Sequence, residues 1–216
     1  MKRATLVVGV FSLLATPAAA QWLGMPVWNS PKGGTGVTIS GDFGKPNDAY
    51  GAGTAWGGRA SVGLGTLTLT AGVSSYQSDT IGPDRVTSYG GQADFRLIGG
   101  SLLPVAVNLQ AGAVRTGEVE LGKGGQTYVM GAVGLSVPLP TPGISIEPYV
   151  SPGIRYRNFG TNNGSSTKFG YAIGANLSFG LMGAHFAYDH ESAKGGGSVS
   201  VVGLGAHVAI KLPLGM

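Results

Sequence analysis

Cysteine is absent from the chain, and charged residues make up only 11% of it. The first absence excludes disulfide staples and thiolate metal sites. Sparse charge combined with 43% hydrophobic residues excludes a disordered polar chain, because there is ample apolar surface to bury. Long apolar helices are missing too. Residues 97–114 and 124–146 are long enough to be considered, but they carry Gly99, Gly100 and Pro104 or Pro138, Pro140 and Pro142, with polar residues at every second position. Glycine is in excess, at 40 of 216 residues, against a usual level of roughly 7%. It does not recur at every third position, which excludes collagen, and inside a helix each glycine costs about 1 kcal/mol relative to alanine. Many short strands and turns remain.

The first twenty residues form a unit of their own. Lys2 and Arg3 make a positive n-region, Leu6 to Leu14 an apolar h-region, and Pro17-Ala18-Ala19-Ala20 a small-x-small cleavage site. Residues 1–20 therefore read as a secretory signal peptide, with the mature chain beginning at Gln21. Removing Lys2 and Arg3 takes the basic count from 14 to 12 against 10 acidic residues, and the formal charge from +4 to +2. The basic balance is then no sign of a nucleic-acid partner. An exported chain without cysteine needs another source of stability; a fully hydrogen-bonded structure embedded in lipid supplies one.

From Gly36 onward, apolar residues alternate with polar or small ones at period two, the pattern of a strand with two different faces. Leu67, Leu69, Ala71 and Val73 share one face, and Thr68, Thr70, Gly72 and Ser74 the other. A break at Gly65-Thr66 joins this run to the preceding one as a tight hairpin. The same reading predicts ten strands near 36–43, 55–64, 67–76, 89–97, 105–114, 128–137, 144–157, 169–179, 184–189 and 199–212. Most approach the about nine to eleven residues that a tilted strand needs to cross a bilayer.

The connections alternate in kind. Segments 44–54, 77–88, 115–127, 158–168 and 190–198 are polar and charged, whereas 65–66, 98–104, 138–143 and 180–183 are shorter and carry no charge. Long polar loops at one end and short turns at the other describe an outer-membrane barrel. Trp56, Tyr76, Tyr89, Tyr128, Tyr156, Phe169, Tyr171 and Tyr188 fall where a strand meets a long loop, so closure would gather them into an interfacial girdle. Tyr76 and Tyr128 nevertheless lie on the non-apolar face of the alternation. Glycines on that second face would relieve crowding in a narrow barrel.

Three segments carry a resemblance: Glu147-Pro148-Tyr149-Val150-Ser151-Pro152-Gly153-Ile154-Arg155-Tyr156, then Phe169-Gly170-Tyr171-Ala172-Ile173-Gly174-Ala175-Asn176-Leu177-Ser178-Phe179-Gly180, and Ala184-His185-Phe186-Ala187-Tyr188-Asp189-His190. The chain resembles the small outer-membrane β-barrel proteins of Gram-negative bacteria, the group that holds the opacity-protein and OmpW-like barrels. Members of that group usually end in an aromatic residue similar to a tag for the assembly machinery. Here Val208, Ile210 and Leu212 run instead into Pro213-Leu214-Gly215-Met216.

Phasing the apolar faces outward points Asp42, Arg59, Asp94, Glu147, Arg155 and Asp189 inward, together with His185, His207 and Lys211. Both signs are present, and an inward Arg beside Asp94 or Glu147 would pair with it. A ten-stranded lumen is somewhat wider than the eight-stranded one that side chains just fill. A structural polar core is the preferred reading, with a conducting or ligand-binding lumen as the other; it predicts little or no steady conductance in planar bilayers. On the outer face, His190 and Ser192 resemble the His and Ser pair of barrel-type lipid A deacylases. Residues 199–212 supply no acid to orient that His, and Glu191 points the other way. Gly117 to Lys123 has the spacing of a phosphate loop, but Gly124 stands where Ser or Thr is needed. The three histidines show no metal spacing within one strand, although His185 and His207 could approach across the closing sheet.

The expectation is an all-β, closed antiparallel transmembrane β-barrel of about ten strands, with eight as the alternative. It divides into a signal peptide at 1–20, an N-terminal lead-in at 21–35 with Trp22 and Trp28 at the periplasmic interface, and a barrel domain at 36–216. The expected setting is the bacterial outer membrane, with outer-membrane lipid, lipopolysaccharide and the assembly machinery as partners, for a monomer without cofactor, metal or nucleic acid. The function read from this is a non-enzymatic envelope-structural or surface-interaction role, with narrow solute passage as an added option and a lipid-modifying enzyme as the alternative.

Overall fold

A computed structural model describes residues 21–80, 84–100, 103–118, 125–160, 164–192 and 198–210. Residues 1–20, expected from the sequence to be a signal peptide, lie outside the described residues, as do most of the Gly117 to Lys123 motif, Lys211 and the rest of residues 211–216. The strands are β1 (Gly34–Pro46), β2 (Thr54–Gly65), β3 (Leu67–Gln77), β4 (Arg85–Gly100), β5 (Leu103–Glu118), β6 (Gly125–Ser136), β7 (Leu139–Thr141), β8 (Ile144–Asn158), β9 (Ser165–Phe179), β10 (Met182–Ser192) and β11 (Ser198–Ile210). One 3-10 turn, Asp48–Tyr50, lies between β1 and β2.

Each strand pairs antiparallel with the next, except that β6 passes over β7 to pair with β8. The short β7 folds back on β8 alone. β11 returns to β1, with Val37 opposite Ile210 and Pro46 opposite Val201. Ten strands thus close into a barrel, which settles the strand count against eight and leaves the three-residue β7 as the one strand with an unpaired edge among the described residues. Gly65 (φ 89°) and Gly180 (φ 67°) hold the left-handed backbone of the tight β2–β3 and β9–β10 turns.

The strands extend further toward the long-loop end than the alternation predicts. β4 begins at Arg85, where Gln77 and Tyr76 already pair with Arg85 and Val86. β10 runs to Ser192. The backbone ladder continues above the apolar zone because its hydrogen bonds do not depend on side-chain polarity.

Outward positions are apolar around the barrel. Ile39, Leu69, Phe95, Leu109, Ile173, Phe186 and Leu204 are all about half exposed, an arrangement that suits lipid and not water. Trp56 and Tyr89 (each 58% exposed) and Phe169 (57%) join this outer face at the long-loop end. Tyr76 and Tyr128 do not. They are 2% and 6% exposed and lie inside the barrel, in regular register, so strand parity and not position along the strand decides their side.

The lumen is occupied by the chain's own N-terminal segment. Gln21 to Asn29 and Pro31 are buried, and the segment runs inside the barrel from the long-loop end to Gly33 at the short-turn end. Trp22 and Trp28, at 2% and 4% exposure, are therefore not at the periplasmic interface, which corrects the sequence expectation. The physical reason is size: a ten-stranded lumen is wider than inward side chains can fill, and apolar plug residues replace what would otherwise be empty or wet space. Inward glycines leave room for them. A Cβ at Gly203 would lie 2.5 Å from Pro26 Cγ and 2.9 Å from Trp28 Cη2, and one at Gly72 would lie 3.0 Å from Trp22 Cε2.

Candidate functional site

The plugged lumen is the candidate site, and it is layered along the barrel axis. At the long-loop end Trp22, Leu23 and Met25 pack with Ala55, Tyr76, Val114 and Tyr128 in one apolar cluster, with Tyr50 against it. Leu23 N–H donates to Ser88 Oγ at 3.0 Å, and Ser74 Oγ donates to Leu23 O at 3.0 Å. Gly24 N–H donates to the Tyr50 hydroxyl at 3.3 Å. Burial holds that phenol above its ordinary pKa, so it stays neutral over the working pH range.

Next come two ion pairs across the wall. Arg155 Nη1 reaches both Asp189 carboxylate oxygens at 2.7 Å, and Arg157 Nη2 reaches Glu191 Oε2 at 2.5 Å, with Lys168 Nζ 3.6 Å from Oε1. The plug backbone is tied to the first pair, because Val27 N–H donates to Asp189 Oδ2 at 3.0 Å. A second apolar cluster of Val27, Trp28, Met130, Tyr149, Ala172 and Ala187 lies beside it.

Below Trp28 the contacts are amide and hydroxyl bonds. Gln110 Nε2 donates to Trp28 O at 2.8 Å. Asn29 and Asn108 exchange side-chain bonds of 2.8 and 3.1 Å. Glu147, fully buried, closes the foot of the plug by accepting from Ser30 Oγ (2.8 Å), Lys32 N–H (2.9 Å) and Ser136 Oγ (2.8 Å). Beside this foot, Arg59 Nε donates to Asp42 Oδ2 at 2.6 Å, and His185 Nε2 lies 2.6 Å from Asp42 Oδ1. The Nδ1 atoms of His185 and His207 are 3.2 Å apart. Trp28 meets this cluster edge to face, 4.6 Å from the His185 ring, with the Arg59 guanidinium 5.1 Å from its own ring centre. A vestibule of about 770 Å³ opens from here at the short-turn end, lined by Lys32, Arg59, Asp94, Glu147 and His207.

The inward set read from the sequence is brought together, but not with the partners expected. Asp94 accepts from Gln92 Nε2 at 3.0 and 2.9 Å, and Glu147 is held by the plug, so among the described residues neither pairs with an arginine. Asp42, Asp189 and Glu191 take the arginines instead. His185 and His207 do approach. Among the described residues no group of three or more His, Asp or Glu side chains is placed to hold a metal ion.

On the outer face, His190 stacks on Tyr171 at 5.1 Å, and its Nδ1 lies 3.4 Å from the Tyr188 hydroxyl. Among the described residues no hydrogen bond joins His190 to Ser192, and Glu191 is turned inward to Arg157. Sequence reasoning missed the plug. The available signal was two of the chain's three tryptophans within Gln21 to Trp28, in a stretch whose Gly24 and Pro26 suit no strand.

No family model matches the chain, and no curated protein matches it. Solved structures do. The β domain of the Bordetella autotransporter BrkA is 12% identical with a TM-score of 0.52, over 82% of this chain and 100% of that one. The N-terminal β-barrel domain of Pseudomonas aeruginosa OprF is 16% identical (TM-score 0.37; 82% and 99% covered). The outer membrane protein Ail of Yersinia pestis, solved in a phospholipid nanodisc, is 14% identical (TM-score 0.40; 82% and 99%). At these identities the likeness is one of fold: a closed barrel of the outer-membrane kind.

Proposed function

We propose that this chain is a non-enzymatic integral protein of the bacterial outer membrane, a barrel sealed by its own N-terminal segment. It serves the envelope as a structural element and presents its long loops to the surroundings. The apolar outer belt and the aromatic residues at the loop ends support the membrane setting. The observation that carries the sealed-barrel reading is the plug itself: two buried tryptophans, a backbone bond to Asp189 and a carboxylate cradle at Glu147. Passage of small solutes then requires displacement of the plug, because the space below Trp28 is a vestibule closed at its inner end.

The test is conductance in planar bilayers. Wild-type protein is expected to show no steady openings, and a variant lacking residues 22–32 is expected to conduct continuously. A wild-type protein that conducts steadily, or a deletion variant that folds and stays silent, would overturn the sealed-barrel reading.

A further inference from the structure

We propose that Gln21 is a modification site: after signal-peptide removal the new N-terminal glutamine closes to pyroglutamate, and this uncharged ring is the end group that the plug carries into the lumen. The inference rests on cleavage between Ala20 and Gln21 and on the plugged lumen described above.

Gln21 is 4% exposed. With Tyr128, Met130, Arg155 and Arg157 it surrounds a crevice that leaves no space for a water molecule. A free N terminus has a pKa of about 7.7–8.0 in water, so at pH 7 an unmodified plug would bring an ammonium ion into this place. The charges already there are unfavourable to it. Among the described residues, Arg155, Arg157 and Lys168 pair with two carboxylates, Asp189 and Glu191. Asp189 is engaged by Arg155 Nη1 and Val27 N–H, and Glu191 by Arg157 and Lys168. A fourth cation would be buried without a carboxylate of its own and without water, the arrangement that folded proteins avoid.

A second observation points to the same end group. Among the described residues of this cluster, Arg155 Nε and Nη2 and Arg157 Nε are three buried donors without hydrogen-bond partners, against one unbonded acceptor, Glu191 Oε1, which Lys168 Nζ faces at 3.6 Å. A neighbourhood with more unused donors than acceptors favours a neutral end group with one lactam N–H over an ammonium with three N–H donors, the side-chain carbonyl being kept as an acceptor in both.

The chemistry needs no co-reactant. The α-amino nitrogen of Gln21 attacks the side-chain amide carbon Cδ, forming the N–Cδ bond of a five-membered lactam. The Cδ–Nε2 bond breaks, a proton passes from the attacking nitrogen to the leaving one, and ammonia departs. The step removes the charge permanently. It costs the plug one long contact, the bond from Gln21 Nε2 to Met25 O at 3.3 Å. Cyclisation precedes docking of the plug, while the terminus is still in water.

The test is the intact mass of this 216-residue chain, expressed in a Gram-negative host and purified from its outer membranes. The expected mass is that of residues 21–216 less about 17 Da, the ammonia lost on ring closure. The uncyclised mass of residues 21–216 would overturn the proposal while leaving cleavage intact; a mass that retains residues 1–20 would instead overturn the cleavage on which it rests. Gln21→Asn keeps an amide but cannot close a five-membered ring. It is expected to show the uncyclised mass and conducting openings in planar bilayers roughly tenfold or more above wild type, because it buries the ammonium. A Gln21→Asn protein as silent as wild type would overturn the role of the neutral end group in seating the plug.

Discussion

Replacing both plug tryptophans should open the barrel without unfolding it. Trp22 and Trp28 lie in separate apolar clusters, one against Tyr76 and Tyr128 and the other against Met130 and Tyr149. Truncating a buried Trp to Ala costs about 3–5 kcal/mol through lost burial and the cavity left behind. Because the clusters are distinct, the two losses should add to about 6–10 kcal/mol. Each 1.4 kcal/mol is a factor of about ten in an equilibrium, so the docked plug should lose about four or more orders of magnitude against the undocked one. The barrel wall does not depend on either residue, since all ten strands are paired around a closed ladder. The assay is single-channel conductance of Trp22→Ala/Trp28→Ala beside each single variant. Heat-modifiable gel mobility serves as the check on barrel integrity. Openings should be rare in the singles and frequent in the double. A double variant that keeps its heat-modifiable shift and stays silent, while deletion of residues 22–32 conducts, would refute the reasoning: the polar contacts to Asp189 and Glu147 would then be the ones that seat the plug.

Two further outcomes follow from the packing. Gly203→Val puts a branched side chain where Cβ alone would meet Pro26 Cγ at 2.5 Å; the overpacking, about 1–3 kcal/mol, falls on the plug, so bilayer openings should appear and Pro26→Ala should suppress them. Asp189→Ala leaves Arg155, 2% exposed, buried without its carboxylate; this should destabilise the protein by about 3–5 kcal/mol in thermal melts, and adding Arg155→Met should recover most of the loss.

The wall of this protein is legible in its sequence because the barrel is a repeated local rule. Leu67, Leu69, Ala71 and Val73 alternate with Thr68, Thr70, Gly72 and Ser74 whatever lies across the lumen, and the side of each residue follows from parity. Tyr76 and Tyr128 show the rule's strength. Their parity points inward, and the structure places them inward, although their position suggested the girdle. The plug is not legible in the same way. Gln21 to Pro31 has no period, and its place is set by a surface assembled from Gly44, Gly72, Gly134 and Gly203, residues distant in the chain that meet only after closure. Pairing inside the lumen was partly hidden for a related reason: parity puts Asp94 inward beside Gln92 on the same strand, but it does not say that Asp94 bonds Gln92 while the arginines go to Asp42, Asp189 and Glu191.

Register also explains how the charged clusters form. Between β10 and β11, His185 stands opposite Gly205 and His207 opposite Gly183, so across that pair of strands neither histidine meets a side chain and the two rings meet on the diagonal. Asp42 stands opposite Gly57 on one side and Gly205 on the other, which opens its approach to both Arg59 and His185. Arg155 reaches Asp189 two strands away by passing over Gly170, where a Cβ would lie 2.7 Å from Arg155 Nε. The inward glycines thus do two things at once. They admit the plug, and they let long side chains cross a neighbouring strand to find opposite charge. Both follow from one geometric fact: a residue without a side chain on the inner wall gives its volume to something else, and above the vestibule that volume goes to the plug or to a side chain reaching across.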